Sequence, residues 1–70
     1  MAELVTTLDY IGGNLTYQGS ATAGSAKSAA EWQIKKFFYD GSSNLIDVQY
    51  ADGETFHNKV WNDRTTLSYS

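Results

Sequence analysis

Two runs of apolar and aromatic residues, separated by a short polar stretch, dominate the hydrophobic pattern of this chain. The first run occupies residues 31–39 and the second residues 45–50, and both are rich in the aromatic and β-branched residues typical of strands. Between them, residues 40–44 read Asp-Gly-Ser-Ser-Asn, a composition typical of turns. The pattern predicts a central β-hairpin over residues 31–51 in an all-β fold, built as a small antiparallel sheet or β-sandwich.

One pairing register places nearly all apolar residues of this hairpin on one face, because side chains alternate between the two faces of a strand. It pairs Phe38 with Ile46, and the expected core face then contains Trp32, Ile34, Phe38, Ile46, Val48 and Tyr50. Lys36 falls among these apolar residues and is expected to extend its ammonium to the rim. The opposite face keeps an apolar cluster of Phe37, Tyr39 and Leu45, which we expect to be covered by the N-terminal segment or by another chain.

The first thirty residues predict a strand pair followed by a stretch of small residues. Residues 4–11 read as a strand, a Gly-Gly-Asn break follows, and residues 15–18 suit a short second strand in a tight hairpin. We assign residues 1–18 to an N-terminal strand or arm and residues 19–30 to a small-residue loop. That loop is either a flexible linker or an ordered cover, and the ordered form is favoured because it leads directly into Trp32.

The C-terminal part completes a β core that spans residues 31–70, within one domain overall. Phe56, Val60 and Trp61 have the spacing of one helical turn, so a short helical or 3₁₀ turn is expected over residues 56–61. Residues 65–69 then read as a final strand. These segments add Phe56, Trp61 and Leu67 to the expected core.

Composition excludes several functions. The 70 residues contain ten Phe, Tyr and Trp, no cysteine and one histidine, so neither disulfides nor Cys- or His-rich metal sites are expected. A net charge of −3 without a basic stripe argues against nucleic-acid binding. The N-terminus lacks the pattern of a signal peptide, and no apolar stretch is long enough to span a membrane.

No set of residues forms a recognisable catalytic group. His57 is the only general base of the usual kind, and Asp52-Gly53-Glu54 resembles only a fragment of a calcium loop, which a turn explains equally well. Arg64 is expected to pair or stack within the chain, with an interface role as the alternative. Trp32 and Trp61 suit the core better than exposed platforms for sugar rings. We therefore predict a protein that is not an enzyme and needs no metal or cofactor.

Several motifs resemble small proteins encoded among the structural genes of tailed bacteriophages. They are the small-residue stretch of residues 19–26, a Trp-x-Ile-basic strand at Trp32, an Ala-Asp-Gly turn at residues 51–53, and a Trp-x-x-Arg-x-x-Leu-x-Tyr ending from Trp61 to Tyr69. The resemblance covers about residues 15–70. Gln33 and the longer loop of residues 40–44 depart from the pattern, which leaves the role of that loop open.

This resemblance implies a virion component that is assembled in the bacterial cytoplasm. Such a module decorates the capsid head, sits at the neck or tail, or forms part of a fibre or adhesin. Its expected partners are other virion proteins and further copies of itself. The surfaces expected to bind them are the N-terminal arm and the face of Phe37, Tyr39 and Leu45, with Arg64 as a further interface candidate. The alternative is a carbohydrate-binding or receptor-binding β module, which would use exposed aromatic side chains.

Overall fold

A computed structural model describes residues 3–70 and shows an all-β fold, as the sequence predicts. The strands are β1 (Leu4–Ile11), β2 (Asn14–Thr22), β3 (Ala30–Tyr39), β4 (Leu45–Tyr50) and β5 (Lys59–Val60), and a 3₁₀ turn covers Trp61–Asp63. The first four strands form an antiparallel meander in the order β1-β2-β3-β4. Strand β5 pairs with the beginning of β3. Strand β3 is thus the central strand of the fold.

The β1–β2 hairpin is closed by a two-residue turn. Gly12 and Gly13 have φ angles of 62° and 85°, and such positive angles at both central residues are the requirement of a type I′ turn. The tight hairpin predicted from the Gly-Gly-Asn break is therefore present. Strand β2 is longer than predicted, because it continues through Thr22 and leaves only residues 23–29 as the loop.

The loop of residues 23–29 is ordered against the rest of the chain. The indole Nε1 of Trp32 donates a hydrogen bond to the carbonyl of Ala26 at 2.9 Å. The backbone N–H of Asn62 donates to the carbonyl of Lys27 at 3.2 Å. Of the two forms considered for this segment, the structure shows the ordered cover.

A β-bulge changes the register of the central hairpin. Tyr39 pairs with Leu45, as the predicted register requires. A bulge between Phe38 and Tyr39 then shifts by one residue all pairs that lie farther from the loop of residues 40–44. Phe38 therefore faces Asp47 instead of Ile46. A one-residue shift moves every side chain of a strand to the other face relative to its partner. Val48 and Tyr50 consequently lie on the face opposite to Trp32 and Ile34.

The buried core combines large aromatic residues with very small ones: Tyr17, Ala21, Trp32, Ile34, Ala51 and Trp61, with Leu67 and Tyr69 packed against them. The predicted core positions of Trp32, Ile34, Trp61 and Leu67 agree with this set, and Phe38 is half-buried on the same face of β3.

Four predicted core positions are wrong. Ile46 is 64% exposed, Val48 is 40% exposed, and Tyr50 lies half-buried on the face opposite to the core, because the bulge shifts the register of β4. Phe56 is 63% exposed, since the predicted helical turn over residues 56–61 does not form. The single 3₁₀ turn of the described chain begins only at Trp61, after β5 has paired with β3.

The C-terminal segment pairs with the edge of the sheet at β4 and packs Leu67 and Tyr69 against the core. After the 3₁₀ turn the chain returns to β4, where Tyr69 forms a bridge with Ala51 and Ser70 exchanges two backbone hydrogen bonds with Tyr50. The predicted final strand is thus reduced to this short contact. Within residues 3–70 no helix is long and apolar enough to cross a membrane.

Candidate interaction surface

The two tryptophans are core residues that rest on a floor of small side chains. Their ring centroids are 6.2 Å apart, and Trp32 and Trp61 are 2% and 4% exposed. A Cβ atom placed on Gly19 would lie 2.6 Å from Cε3 of Trp61 and 3.1 Å from Cε3 of Trp32. The small residues of β2 therefore make room for the indole rings, and neither ring is available as a platform for a sugar.

Arg64 holds the N-terminal hairpin to the C-terminal segment. Its Nε atom donates to Oδ2 of Asp9 at 2.8 Å, and its guanidinium lies 4.6 Å from the ring centroid of Trp61. Both charged groups are about one-quarter exposed. The guanidinium is thus occupied within the chain, which is the default role that the sequence assigned to it.

Lys36 lies among three aromatic rings on the face of the sheet that carries Trp32 and Ile34. Its Nζ atom is 5.6 Å from the ring centroid of Tyr17, 5.2 Å from that of Phe38 and 5.7 Å from that of Tyr69. Such cation–π contacts stabilise an ammonium group beside apolar neighbours. Burial raises the pKa of the Tyr69 hydroxyl, which donates a 2.7 Å hydrogen bond to the carbonyl of Arg64.

The acids considered for calcium binding are instead paired with Lys59. The Lys59 ammonium donates to Glu54 and, at 2.8 Å, to Asn58, and it lies 3.5 Å from the Asp52 carboxylate. The hydrogen bond to Glu54 is the largest cause of the raised pKa of Lys59. His57 is exposed, outside this cluster. The described residues contain neither a cluster of metal-binding side chains nor a cavity.

The opposite side of the sheet, which we call the outer face, is open to solvent. The strand registers place on it Leu4, Thr6, Leu8, Gln18, Ser20, Thr22, Gln33, Lys35, Phe37, Val48 and Tyr50. Leu4 is 62% exposed, Leu8 48% and Val48 40%. Lys35 is the only charged member of this set, and its ammonium lies 5.6 Å from the ring centroid of Tyr50. The outer face therefore combines five apolar or aromatic side chains with six polar ones, of which one is charged. The loop after β4 reaches it at Gln33, whose side-chain amide donates to the carbonyl of Thr55 at 2.7 Å.

Of the four predicted interface residues, only Phe37 is among those that the registers place on the outer face. Phe37 belongs to the outer face and is half-buried by its sheet neighbours, whereas Leu45 is 51% exposed at the end of β4. The hydroxyl of Tyr39 donates to the carbonyl of Leu15 at 2.6 Å, so Tyr39 is fixed to β2.

Sequence reasoning missed the larger part of the outer face. It placed Val48 and Tyr50 in the core because a bulge leaves no mark in the apolar pattern. The contribution of β1 could have been found, since Leu4 and Leu8 are an even number of residues apart and so share one face of a strand.

No protein-family model, curated protein or solved structure matches the chain.

Proposed function

We propose that this chain is a non-enzymatic assembly protein of a tailed-phage virion, and that it binds neighbouring virion subunits through its outer face. One observation supports this proposal most strongly: an antiparallel sheet buries its aromatic core on one side and leaves Leu4, Leu8 and Val48 exposed on the other. Large exposed apolar patches on small proteins usually mark sites of protein association.

The size and chemistry of the outer face suit a protein partner. The two longest dimensions of the molecule are 40 and 21 Å. A face within that outline covers at most about 800 Å², which is roughly the area that each partner contributes to a standard interface. Charged residues are depleted in the centres of such interfaces, and Lys35 is the sole charge among the outer-face residues.

The gain from covering this face is large for so small a domain. Full burial of an exposed Leu or Val contributes roughly 1.5–3 kcal/mol, so the exposed fractions of Leu4, Leu8 and Val48 together represent a few kcal/mol. Domains of about this length have small stability margins. Association with neighbours would therefore stabilise the fold as well as build the assembly.

The virion setting is supported by the sequence motifs that resemble phage structural proteins. They include the small-residue stretch, the strand at Trp32 and the ending that contains Arg64. The proposal places the chain in the virion after assembly in the bacterial cytoplasm, with other virion proteins and copies of itself as partners. It involves neither nucleic acid nor a membrane.

The alternative function, carbohydrate binding, would require exposed aromatic rings on which sugars can stack. Trp32 and Trp61 are buried, and the most exposed aromatic side chains are Tyr10 at 59% and Phe56 at 63%. Phe56 lies outside the strands, and Tyr10 lies beyond the bulge of the β1–β2 pair. Binding on a glycan array that is lost in the Tyr10→Ala or Phe56→Ala variant would favour this alternative over the proposal.

The proposal is tested by measuring incorporation into virions. A phage that encodes the wild-type chain is compared with one that encodes Val48→Asp, which places a charge in the outer face. The control is Ser28→Asp, which adds the same charge in the exposed loop of residues 23–29.

Quantitative mass spectrometry of purified particles should detect the wild type and Ser28→Asp at similar levels. It should detect Val48→Asp at least tenfold less, although all three chains are equally abundant and folded in the lysate. Absence of the wild-type chain from particles, or equal incorporation of Val48→Asp, would refute the proposal.

A further inference from the structure

The outward edge of β1 carries backbone groups that no described residue satisfies. The N–H of Ala23 donates to the carbonyl of Glu3 at 2.7 Å, so the backbone of Glu3 points toward β2. Because this direction alternates along an antiparallel strand, Leu4, Thr6 and Leu8 direct their N–H and C=O groups away from β2. Residues 4–8 thus form an unpaired edge that ends at the bulge between Asp9 and Tyr10.

The other edge of the sheet, along β4, is protected at Tyr50 and at the N–H of Val48. Tyr50 exchanges two backbone hydrogen bonds of 3.1 Å with Ser70. The N–H of Val48 is bound by the side chain of Asp47 at 2.9 Å. Natural sheets protect their edges with charges, prolines or a covering segment. Residues 4–8 contain neither a charge nor a proline.

We propose that β1 pairs with β1 of a second copy of this chain, in antiparallel orientation about a two-fold axis at Thr6. The sequence Leu4-Val5-Thr6-Thr7-Leu8 is nearly symmetric about Thr6, with leucine at both ends and a β-branched residue at each position between. A two-fold interface requires such self-complementarity, because each position meets its own mirror position in the partner. This symmetry identifies a second copy, rather than an unrelated strand, as the partner.

The proposed register satisfies the open edge completely. Thr6 faces Thr6 of the second copy, and Leu4 faces Leu8, which gives about six backbone hydrogen bonds. Both leucine pairs lie on the outer face, where cross-strand apolar pairs and Thr–Thr pairs are favourable. At each end of the paired strands, Glu3 of one copy faces Asp9 of the other copy. The negative charge of that Asp9 is balanced by Arg64 of its own chain.

The pairing joins two outer faces into one continuous surface. It rests on the proposed function for its biological setting, because it names one of the partners in that assembly. The strand contact is small compared with a standard interface of about 800 Å² per partner, so the free dimer should form only at high protein concentration.

Single-cysteine variants test this register directly, because the chain has no cysteine of its own. In the proposed dimer the two Thr6 Cα atoms are about 5.5 Å apart, within the range of a disulfide. The two Leu4 Cα atoms are about 14 Å apart, since each lies four residues along the strand from its counterpart. Thr6→Cys is therefore the test variant and Leu4→Cys the matched control at the same edge.

Both variants are oxidised at the same protein concentration and analysed by non-reducing electrophoresis, with near-ultraviolet circular dichroism as the check of folding. Thr6→Cys should give at least tenfold more covalent dimer than Leu4→Cys, and the double variant Leu4→Cys/Leu8→Cys should again give covalent dimer. Equal yields from the two single variants, or monomer throughout, would overturn the pairing. Neither result depends on incorporation into virions, so failure of this inference and failure of the proposed function are distinguishable.

Discussion

Substitution of Gly19 by alanine tests how the core is packed. Gly19 lies in β2 directly beneath the two tryptophans, and a Cβ atom there would approach Cε3 and Cζ3 of Trp61 at 2.6 and 2.9 Å. Contacts below 3.0 Å force a neighbour to move. Trp61 is 4% exposed and its ring also packs against Trp32, so the added methyl group must displace a rigid, buried ring.

The expected cost follows from two opposing effects. Overpacking of a well-packed core destabilises by about 1–3 kcal/mol. Replacing glycine by alanine also restricts the unfolded chain, which stabilises by about 0.4–1 kcal/mol. Gly19→Ala should therefore lower the free energy of unfolding by about 1–2 kcal/mol, which corresponds to a fall in Tm of roughly 5–15 °C for a domain of this size.

The assay is urea and thermal unfolding followed by tryptophan fluorescence, with Gly41→Ala as the matched control. A Cβ atom at Gly41 would have no neighbouring atom within 4 Å, and this glycine lies in the exposed 40–44 loop, so its substitution should leave stability nearly unchanged. The Trp61→Phe substitution removes the indole atoms Cε3 and Cζ3 that a Cβ atom at Gly19 would approach. In a Trp61→Phe background, Gly19→Ala should therefore lower the free energy of unfolding by at most half as much. A Gly19→Ala protein as stable as the wild type would refute this packing of the two indole rings against β2.

Three further predictions concern individual contacts. Arg64→Gln and Asp9→Asn should each lower the free energy of unfolding by about 1 kcal/mol, because the ion pair between them is only partly exposed. A double-mutant cycle should give a coupling of roughly 0.5–1 kcal/mol. Additive effects of the two substitutions would contradict a direct pair. The pKa values of Tyr69 and Lys59 are raised in the folded state, which therefore binds these two protons more tightly than the unfolded state does. Their contribution to stability is complete below about pH 10 and is lost as the pH rises further. The urea midpoint should therefore fall between pH 8 and pH 12, and it should fall less steeply in the Tyr69→Phe variant. Hydrogen bonds from the backbone N–H groups of the 40–44 turn lower the pKa of Asp40 below 3.8. The contribution of these bonds to stability is therefore present above pH 3.8 and is lost as the pH falls through the pKa of Asp40 in the folded state. An NMR titration that gives Asp40 a pKa of 3.8 or higher would show that the turn is not formed.

The strands themselves could be predicted from the sequence, because their signals are local. The Gly12-Gly13 break favours a tight hairpin, and the aromatic runs around residues 40–44 predict the second hairpin. The register between β3 and β4 could not be predicted, since a bulge adds one residue without altering composition or apolar alternation. That one residue decided whether Val48 belongs to the core or to the surface.

The composition of the core was also only partly predictable. The buried tryptophans were expected, whereas Ala21, Ala51 and Gly19 were not, because small residues contribute space rather than apolar area. Their importance follows from the tertiary contact with Trp61, which arrives more than forty residues after Gly19 in the chain. For the surface, the sequence correctly placed Phe37 on the face opposite to Trp32 but gave that face too few members.

Hydroxyl-radical footprinting of the chain, free and within purified particles, would test most directly whether the outer face is a contact surface. If it is, labelling of Leu8, Val48 and Tyr50 falls several-fold in the particle, whereas labelling of Leu67, which packs against the core on the other side of the sheet, changes little. Equal labelling of the outer-face residues in both samples would contradict the claim that this face binds other subunits.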